Sequence, residues 1–556
     1  LRVGGPYTIT IVKDGVTEVR EGVYLQLAET TAVDATLGED ETTLATIEVT
    51  GENVTSEIFS ATSMGTGTTV SRDQIESFAS IKRDLQDYAR LDPRLSQTDK
   101  ERGEISAGGQ NTRYNSITID GVTTNDTFGL ESNNLPTQRQ PISIDAIEEV
   151  QVNVANYDVT QTRYTGANIN AVTKSGTNEF SGSAYYIYRD SDMVGDDPAG
   201  NEFNGFIDEE TYGATFGGPL VKDRLFFFIN YEKSVLASPS PDFCPEDVAC
   251  SNPVPDVSST DIAEAIRIAR DVWGFDAGQL AALGNSENES ENILVKLDWN
   301  INDYHRASLR YTEVEQNQLI TPNFDRDDLS LNSHWYNQVK TWDSLVAQVY
   351  SDWTDSFSTE IKLSQRDYQS APQNFSRLPQ VVIDMGASDL NFGTEQFRHA
   401  NLLETSTFNA YAAGNLFMGD HELKFGVDYE SNDIYNLFLE SSLGNYFFNG
   451  LAAFEAGTYT SYLYRTSVDG NLNSAAADFT LDNLGLFVQD TWSVNYNLTL
   501  MFGLRLDTPS VNRDPTFNQD VLDTFGYDNS ATIDGNDLIQ PRFGFNYTFD
   551  TERPTQ

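Results

Sequence analysis

Few side chains in this sequence are spaced for covalent or metal chemistry. There are four histidines, His305, His334, His399 and His421. None forms the HxxxH or HExxH pair that sets two imidazoles on one helix face around zinc. No GxSxG elbow presents a serine nucleophile, and Gly108–Gly109 lacks the lysine of a phosphate-cradling loop. Carboxylate pairs such as Asp196/Asp197 and Asp327/Asp328 read as solvated loop faces. Asp534–Asp537 (DGND) has calcium-binding oxygens without the EF-hand loop around them. An enzyme is not expected, nor is a metal site or a cofactor. The two cysteines, Cys244 and Cys250, lie in a Pro/Ser/Asp-rich stretch, SPSPDFCPEDVACSNPVPD. They read as a small disulfide stapling an exposed loop in an oxidising compartment, against the alternative of two free thiols.

With catalysis set aside, the elements carry the argument. From about residue 178 onward the chain repeats a pair of strands with period-two alternation, a very short turn, then a long polar connection. LGLFVQDT, a tight SVNY turn and NLTLMFGLRLD show the pattern. Leu484, Leu486, Val488, Leu498, Leu500, Phe502 and Leu504 are apolar, with mixed residues between them. About twelve strands are predicted, near 179–189, 210–218, 224–232, 291–300, 304–314, 343–353, 357–367, 406–416, 421–430, 483–492, 497–507 and 540–549. Short and long connections alternate strictly. A soluble sandwich mixes its loop lengths. An antiparallel barrel in an outer membrane has short turns on its periplasmic rim and long loops outside. The loop at 233–290 is predicted to carry an amphipathic helix, Asp261–Trp273, capped by Thr260 and stopped at Gly274.

Composition agrees. Mean hydropathy is −0.42 and aromatics make up 12% of the chain, with 32 Phe and 26 Tyr against 5 Met. No stretch approaches the roughly 20 apolar residues of a spanning helix, whereas alternating strands look soluble by this measure. A soluble, aromatic-rich β-protein that binds ligands outside the cell is the competing class. The net charge of −49 repels phosphate backbones, so nucleic acid is not an expected partner.

Residues 1–40 read as a small β-unit too short to bury a core, with strands at Tyr7–Val12, Gly22–Leu27 and Ala32–Leu37. Residues 41–65 are an acidic linker, 66–177 a compact α+β region, and 178–556 the strand-rich part. The first residues show no leader and open mid-strand, so the sequence reads as mature or partial. In the α+β region, Ser71 and Gln74 suggest a capping box. A second helix is expected through Ile81, Leu85 and Tyr88, and a third at Ile144–Glu149. Strands are expected at Ser116–Asp120, Glu149–Val154 and Gly166–Thr173.

Width then constrains the architecture. Twelve strands would close at a diameter of about 24 Å, too narrow for a globule of roughly 35 Å. About 22 strands would give about 44 Å. The expectation is a mainly β protein: a transmembrane antiparallel β-barrel of 22 strands in full, about twelve of them in this chain, filled by an α+β plug. A complete twelve-stranded pore with an external domain is the alternative.

Several segments resemble a known family. FGGPLVKDRLFFFINYE (Phe216–Glu232) and NILVKLDWNINDYHRASLRY (Asn292–Tyr311) are similar to the early hairpins of TonB-dependent outer-membrane receptors of the Oar-like group. Leu484–Asp507 resembles a hairpin common to TonB-dependent receptors more widely. GGQNTRYNSITIDGVTTND (Gly108–Asp126) and the stretch Ile142–Tyr186 resemble the plug and its passage into the first strand. Residues 1–38 resemble the end of a carboxypeptidase-regulatory-like β-sandwich. The resemblance implies a Gram-negative outer-membrane location, a plug, and a TonB box contacting a TonB-type protein in the periplasm. The best box candidate is Thr46, Ile47, Glu48, Val49 and Thr50, an extended segment able to add as a strand to a partner's sheet. Ligand contacts are expected at the plug apex and in the long loops. Asn125, Asp126, Thr127 and Phe128, which follow a strand and turn, are the apex candidates, against a surface turn with no ligand role. Trp335 and Tyr459 are loop candidates, against girdle or loop packing. Energised uptake of an extracellular ligand is the expected function, and the resemblance tilts the ligand toward one that is peptide or protein derived. An adhesion or secretion-linked role on the same fold is the alternative.

Overall fold

In the computed structural model the described residues are 4–13, 16–25 and 67–549, apart from 81, 101, 155–156, 197–199, 201, 204, 240 and 282–285. Twelve strands form one antiparallel sheet in chain order. They are β1 (Ser181–Asp190), β2 (Asp208–Val221), β3 (Leu225–Ser238), β4 (Ser286–Asn300), β5 (His305–Ile320), β6 (Tyr336–Thr354), β7 (Phe357–Asn374), β8 (Asn401–Met418), β9 (His421–Phe438), β10 (Ala477–Asn495), β11 (Leu498–Val511) and β12 (Leu538–Tyr547). Each expected strand is present. Most run several residues further at the long-loop end. There both faces of the wall meet water, so the apolar alternation ends while the hydrogen-bond ladder continues. Among the described residues β1 and β12 each have one neighbour in this sheet.

The alternation sorts the wall into two faces. Leu345, Val349, Ile361, Leu363, Leu484, Leu486, Val488, Phe502 and Leu504 point outward and are exposed, as lipid-facing residues must be. Trp299, Tyr304, Trp353, Trp492 and Tyr496 gather near the short turns, and Tyr186, Tyr188, Tyr212 and Tyr311 lie toward the other rim. These are the two aromatic girdles of a membrane-spanning barrel. The inward positions of the same strands, such as Asn230, Asn292, Arg310, Thr312, Ser344 and Arg505, are polar and buried.

What buries them is the α+β globule. Its five-stranded sheet runs in the order Gly67–Val70, Ile147–Asn153, Asn168–Thr173, Ser116–Ile119, Val122–Thr123. Ile105, Ile117, Ile119, Ile147, Val150 and Ile169 form its core, which the wall residues Phe228 and Leu294 join. Ser71 precedes the helix Arg72–Ser77, and its N–H donates to the Gln74 side chain at 3.0 Å. The second helix is shorter than expected, Leu85–Ala89. The third is one 3-10 turn, Ile144–Ala146, because Ile147 already enters the strand.

At the N-terminus Gly4–Lys13 pairs with Val16–Leu25, so the second strand begins six residues before the expected Gly22. The expected strand at Ala32–Leu37 and the candidate box Thr46–Thr50 lie outside the described residues.

The long connections do not behave as separate polar loops. Asp328–Ser330, Asp389–Phe392, Gln380–Asp384, Asn445–Asn449 and Tyr459–Leu463 assemble, in that order, into a second five-stranded sheet beyond the rim. It packs on the helix Ser259–Ile268 around Val257, Ile262, Leu329, Trp335, Ile383, Leu390, Phe392 and Phe448. The N-cap is Ser258, not Thr260: its hydroxyl accepts from Asp261 N–H, and Asp261 accepts from Ser258 N–H. The helix continues as a π-turn, Ala269–Trp273, and stops at Gly274, whose φ of 73° suits glycine.

Candidate functional site

The candidate site is the seam between globule and wall, together with the extracellular cap above it. Basic side chains on the lumen face of the wall meet carboxylates and carbonyls of the globule all along this seam. Arg310 pairs with Asp120, Lys340 with Glu131, and Lys424 with Asp158 at 2.6 Å. In the opposite sense, Arg139 of the globule reaches Glu209, and Arg163 reaches Glu430. Glu430 is shared with Arg366, whose other arm donates to the Thr123 carbonyl at 2.6 Å. Lys296 Nζ donates to Thr173 Oγ1 at 2.8 Å. Burial pushes the Asp120 carboxyl up, but Lys296, Arg310 and the Thr173 hydrogen bonds outweigh it and hold the group below the usual carboxylate range.

One loop, 157–165, joins the wall at several strands. Arg505 donates toward Val159 O while pairing with Asp428 and Asp507 at 3.1 and 2.8 Å. Arg542 donates to the carbonyls of Asp158 and Gln161. Val159 N–H donates to Gln489 at 3.0 Å, and its side chain packs with Ala413 and Phe487. No motif marked these residues. Their only trace in the sequence is a basic residue at an inward position of a strand.

The proposed apex residues lie between globule and wall, on the side of the long loops. Asn125, Asp126 and Thr127 face Pro136, Trp342, Arg366, Tyr368, Thr405 and Thr407 across a cavity of about 10 Å³, which is the size of one water. Asn125 accepts from Ile117 N–H and donates to Asn115 O, both at 2.8 Å. Asp126 accepts from the N–H groups of Phe128, Gly129 and Glu131. These two side chains therefore hold the loop's own shape. Phe128 is exposed. Trp335 is buried in the cap core, its indole N–H donating to Ser330 at 2.9 Å, whereas Tyr459 stands exposed at the cap's edge. Cys244 and Cys250 are joined in a disulfide beside that cap. Asp534 is committed to Val511 N–H at 2.7 Å. Among the described residues no group of three or more His, Cys, Asp or Glu is placed to hold a metal.

The sequence matches the outer membrane beta barrel domain over residues 172–244 and 272–555. The chain belongs to that family. It is a protein of the Gram-negative outer membrane, with an antiparallel transmembrane wall around a plug. The curated TonB-dependent transporter Oar of Myxococcus xanthus is 29% identical over 247 residues, 41% of this chain and 22% of that protein. The outer membrane transporter YddB of Escherichia coli has the same fold, with a TM-score of 0.60 at 14% identity over 86% of this chain and 58% of that one. A mutant of the ferric enterobactin receptor PfeA of Pseudomonas aeruginosa gives 0.57 at 14% identity, over 88% and 60%. This outer-membrane chain thus spans about a fifth of the curated relative and three-fifths of the solved structures.

Proposed function

We propose that this chain is the plug and first part of the wall of a TonB-dependent transporter, and that it admits an extracellular ligand by energised rearrangement of the plug. The observation that carries the reading is the chemistry of the seam. A plug held by ion pairs and hydrogen bonds such as Arg310–Asp120 and Arg163–Glu430 can exchange those partners for water as it moves. An apolar seam has no such substitute. In this reading Thr46–Thr50 is the TonB box, pairing as a strand with a TonB-type protein in the periplasm. Residues 41–65 are the tether, and residues 1–40 end a carboxypeptidase-regulatory-like β-sandwich. The plug spans 66–177, and the wall continues from 178 to a full complement of about 22 strands. The ligand is peptide or protein derived, and it meets the cap before it reaches Asn125–Phe128.

Deleting Thr46–Thr50 from the full-length protein tests this. Energised uptake is expected to vanish while surface expression and ligand binding persist. Uptake that survives the deletion overturns the reading. Cell-surface attachment by the loops that persists after the deletion, with no energised uptake before it, would favour the adhesion role.

A further inference from the structure

The cap sheet has two edges, and they differ. The strand Asp328–Ser330 closes one side and is largely buried. On the other side Tyr459–Leu463 pairs, among the described residues, with Asn445–Asn449 alone, and all five of its residues are exposed. Proteins blunt bare edges with lysine, proline or cover, because a row of free N–H and C=O groups recruits another strand. Here the edge reads YTSYLY, with no such device.

The edge also carries a row of aromatic rings. An irregularity in the pairing skips Thr460, so that Tyr459 faces Phe448 while Tyr462 faces Tyr446. Tyr459, Tyr462 and Tyr464 consequently cluster with Tyr446, at ring separations of 4.4 Å for Tyr446–Tyr462, 5.9 Å for Tyr446–Tyr459 and 6.3 Å for Tyr462–Tyr464. Phe448 continues the row into the buried core, stacking on Tyr446 at 6.3 Å and meeting Phe454 at 5.2 Å. The core of the cap thus runs out to the open edge as exposed tyrosine.

Charge selects what can sit there. None of the six long connections contains a lysine, and their carboxylates far outnumber their arginines. An acidic or neutral strand gains nothing from that field, whereas a basic one is drawn to it. Lysine and arginine side chains also bind favourably over tyrosine faces.

We propose that the edge strand Tyr459–Leu463 captures an extended segment of a basic polypeptide as an added sixth strand, with its cationic side chains lying over Tyr446, Tyr459, Tyr462 and Tyr464. This rests on the outward placement of the cap in the transport reading, but not on uptake itself.

The test uses the full-length protein in detergent, where no energisation is involved. Three labelled ten-residue peptides are titrated by fluorescence anisotropy: alternating Lys and Val, alternating Glu and Val, and the Lys/Val peptide N-methylated on its central six residues. The basic peptide is expected to saturate, and to protect the amides of 459–463 from hydrogen exchange. The methylated peptide should bind at least tenfold more weakly, the acidic one not measurably. Tyr462→Ala with Tyr464→Ala, both at exposed positions, should weaken the basic peptide about fivefold. Equal binding of the methylated peptide would reduce the effect to bulk electrostatics and overturn the proposal. So would concentration-dependent dimers that bury this edge, since the occupant would then be a second copy. Failure here with intact uptake sinks only the edge; loss of uptake on deleting Thr46–Thr50 is read separately.

Discussion

Gly503, on the lumen face of β11, leaves the space that Val159 of the plug fills: a Cβ built on the glycine would overlap Val159 Cγ1. The fit sits at the centre of the 157–165 loop, flanked by Arg505 and Arg542. Gly503→Val should therefore push the loop off the wall, at a cost of about 1–3 kcal/mol for overpacking. Hydrogen exchange at residues 159–163 should accelerate while the exchange of β10 and β11 stays slow. Unchanged exchange in that loop would mean that the contact does not hold the plug.

The Arg310–Asp120 pair is buried on both sides. Arg310→Met removes one of the two cations that compensate a buried carboxylate, leaving Lys296 and the Thr173 hydrogen bonds. It should destabilise the plug by less than the roughly 3–5 kcal/mol of a fully unpaired buried charge. Adding Asp120→Asn should recover part of that loss, because the under-compensated charge is removed. Denaturant unfolding of the single and double variants gives the coupling. Additive losses would contradict the pairing.

Three carboxylates face each other directly on the outer side of the wall: Glu313 is the cross-strand partner of Asp343, and Asp343 of Asp367. Like charges directly opposite are destabilising. Asp343→Asn should raise the unfolding temperature at low ionic strength, by an amount equivalent to about 0.2–1 kcal/mol. The gain should shrink as salt is added.

Acid should pull the cap in two directions. Burial, with Asp328 and Asp384 as neighbours, raises Asp389 to about 6. Between that value and the ordinary carboxylate value the folded cap holds more protons than the unfolded chain, so acidification through this window stabilises it. Burial lowers His334 to about 4, although its ring is hydrogen bonded to Gly393 O at 2.9 Å. Between the ordinary imidazole value and about 4 the unfolded chain holds more protons, so the same acidification destabilises the cap. The His334 contribution is on the order of 3 kcal/mol at most. The intact cap should change little from pH 7 to 4. Asp389→Asn should make it acid-labile, and His334→Gln should make it tighten on acidification. Thermal unfolding followed through Trp335 fluorescence measures all three, and identical pH profiles would refute the assignment.

The wall was legible from residues alone. Lipid on one face imposes period-two alternation on every spanning strand, as at Leu484, Leu486 and Val488. Opposite rims impose alternating connection lengths, as with the short turn at 419–420 against the long stretch from 439 to 476. Both are local signals, readable within about twenty residues. The helix Ser259–Ile268 was also visible, with its cap misplaced by two residues because Ser258, Ser259 and Thr260 are all competent caps and only the position of Asp261 decides among them. The seam and the cap depend on pairing across long stretches of chain. Asp158 meets Lys424, Arg163 meets Glu430, and Gln380–Asp384 pairs in parallel with Asn445–Asn449. A charge at an inward position does not name its partner, and short islands such as VVID and NYFFN do not announce their neighbours. Those choices were made by the packing of the wall against the plug, which buries polar groups that must then find one another.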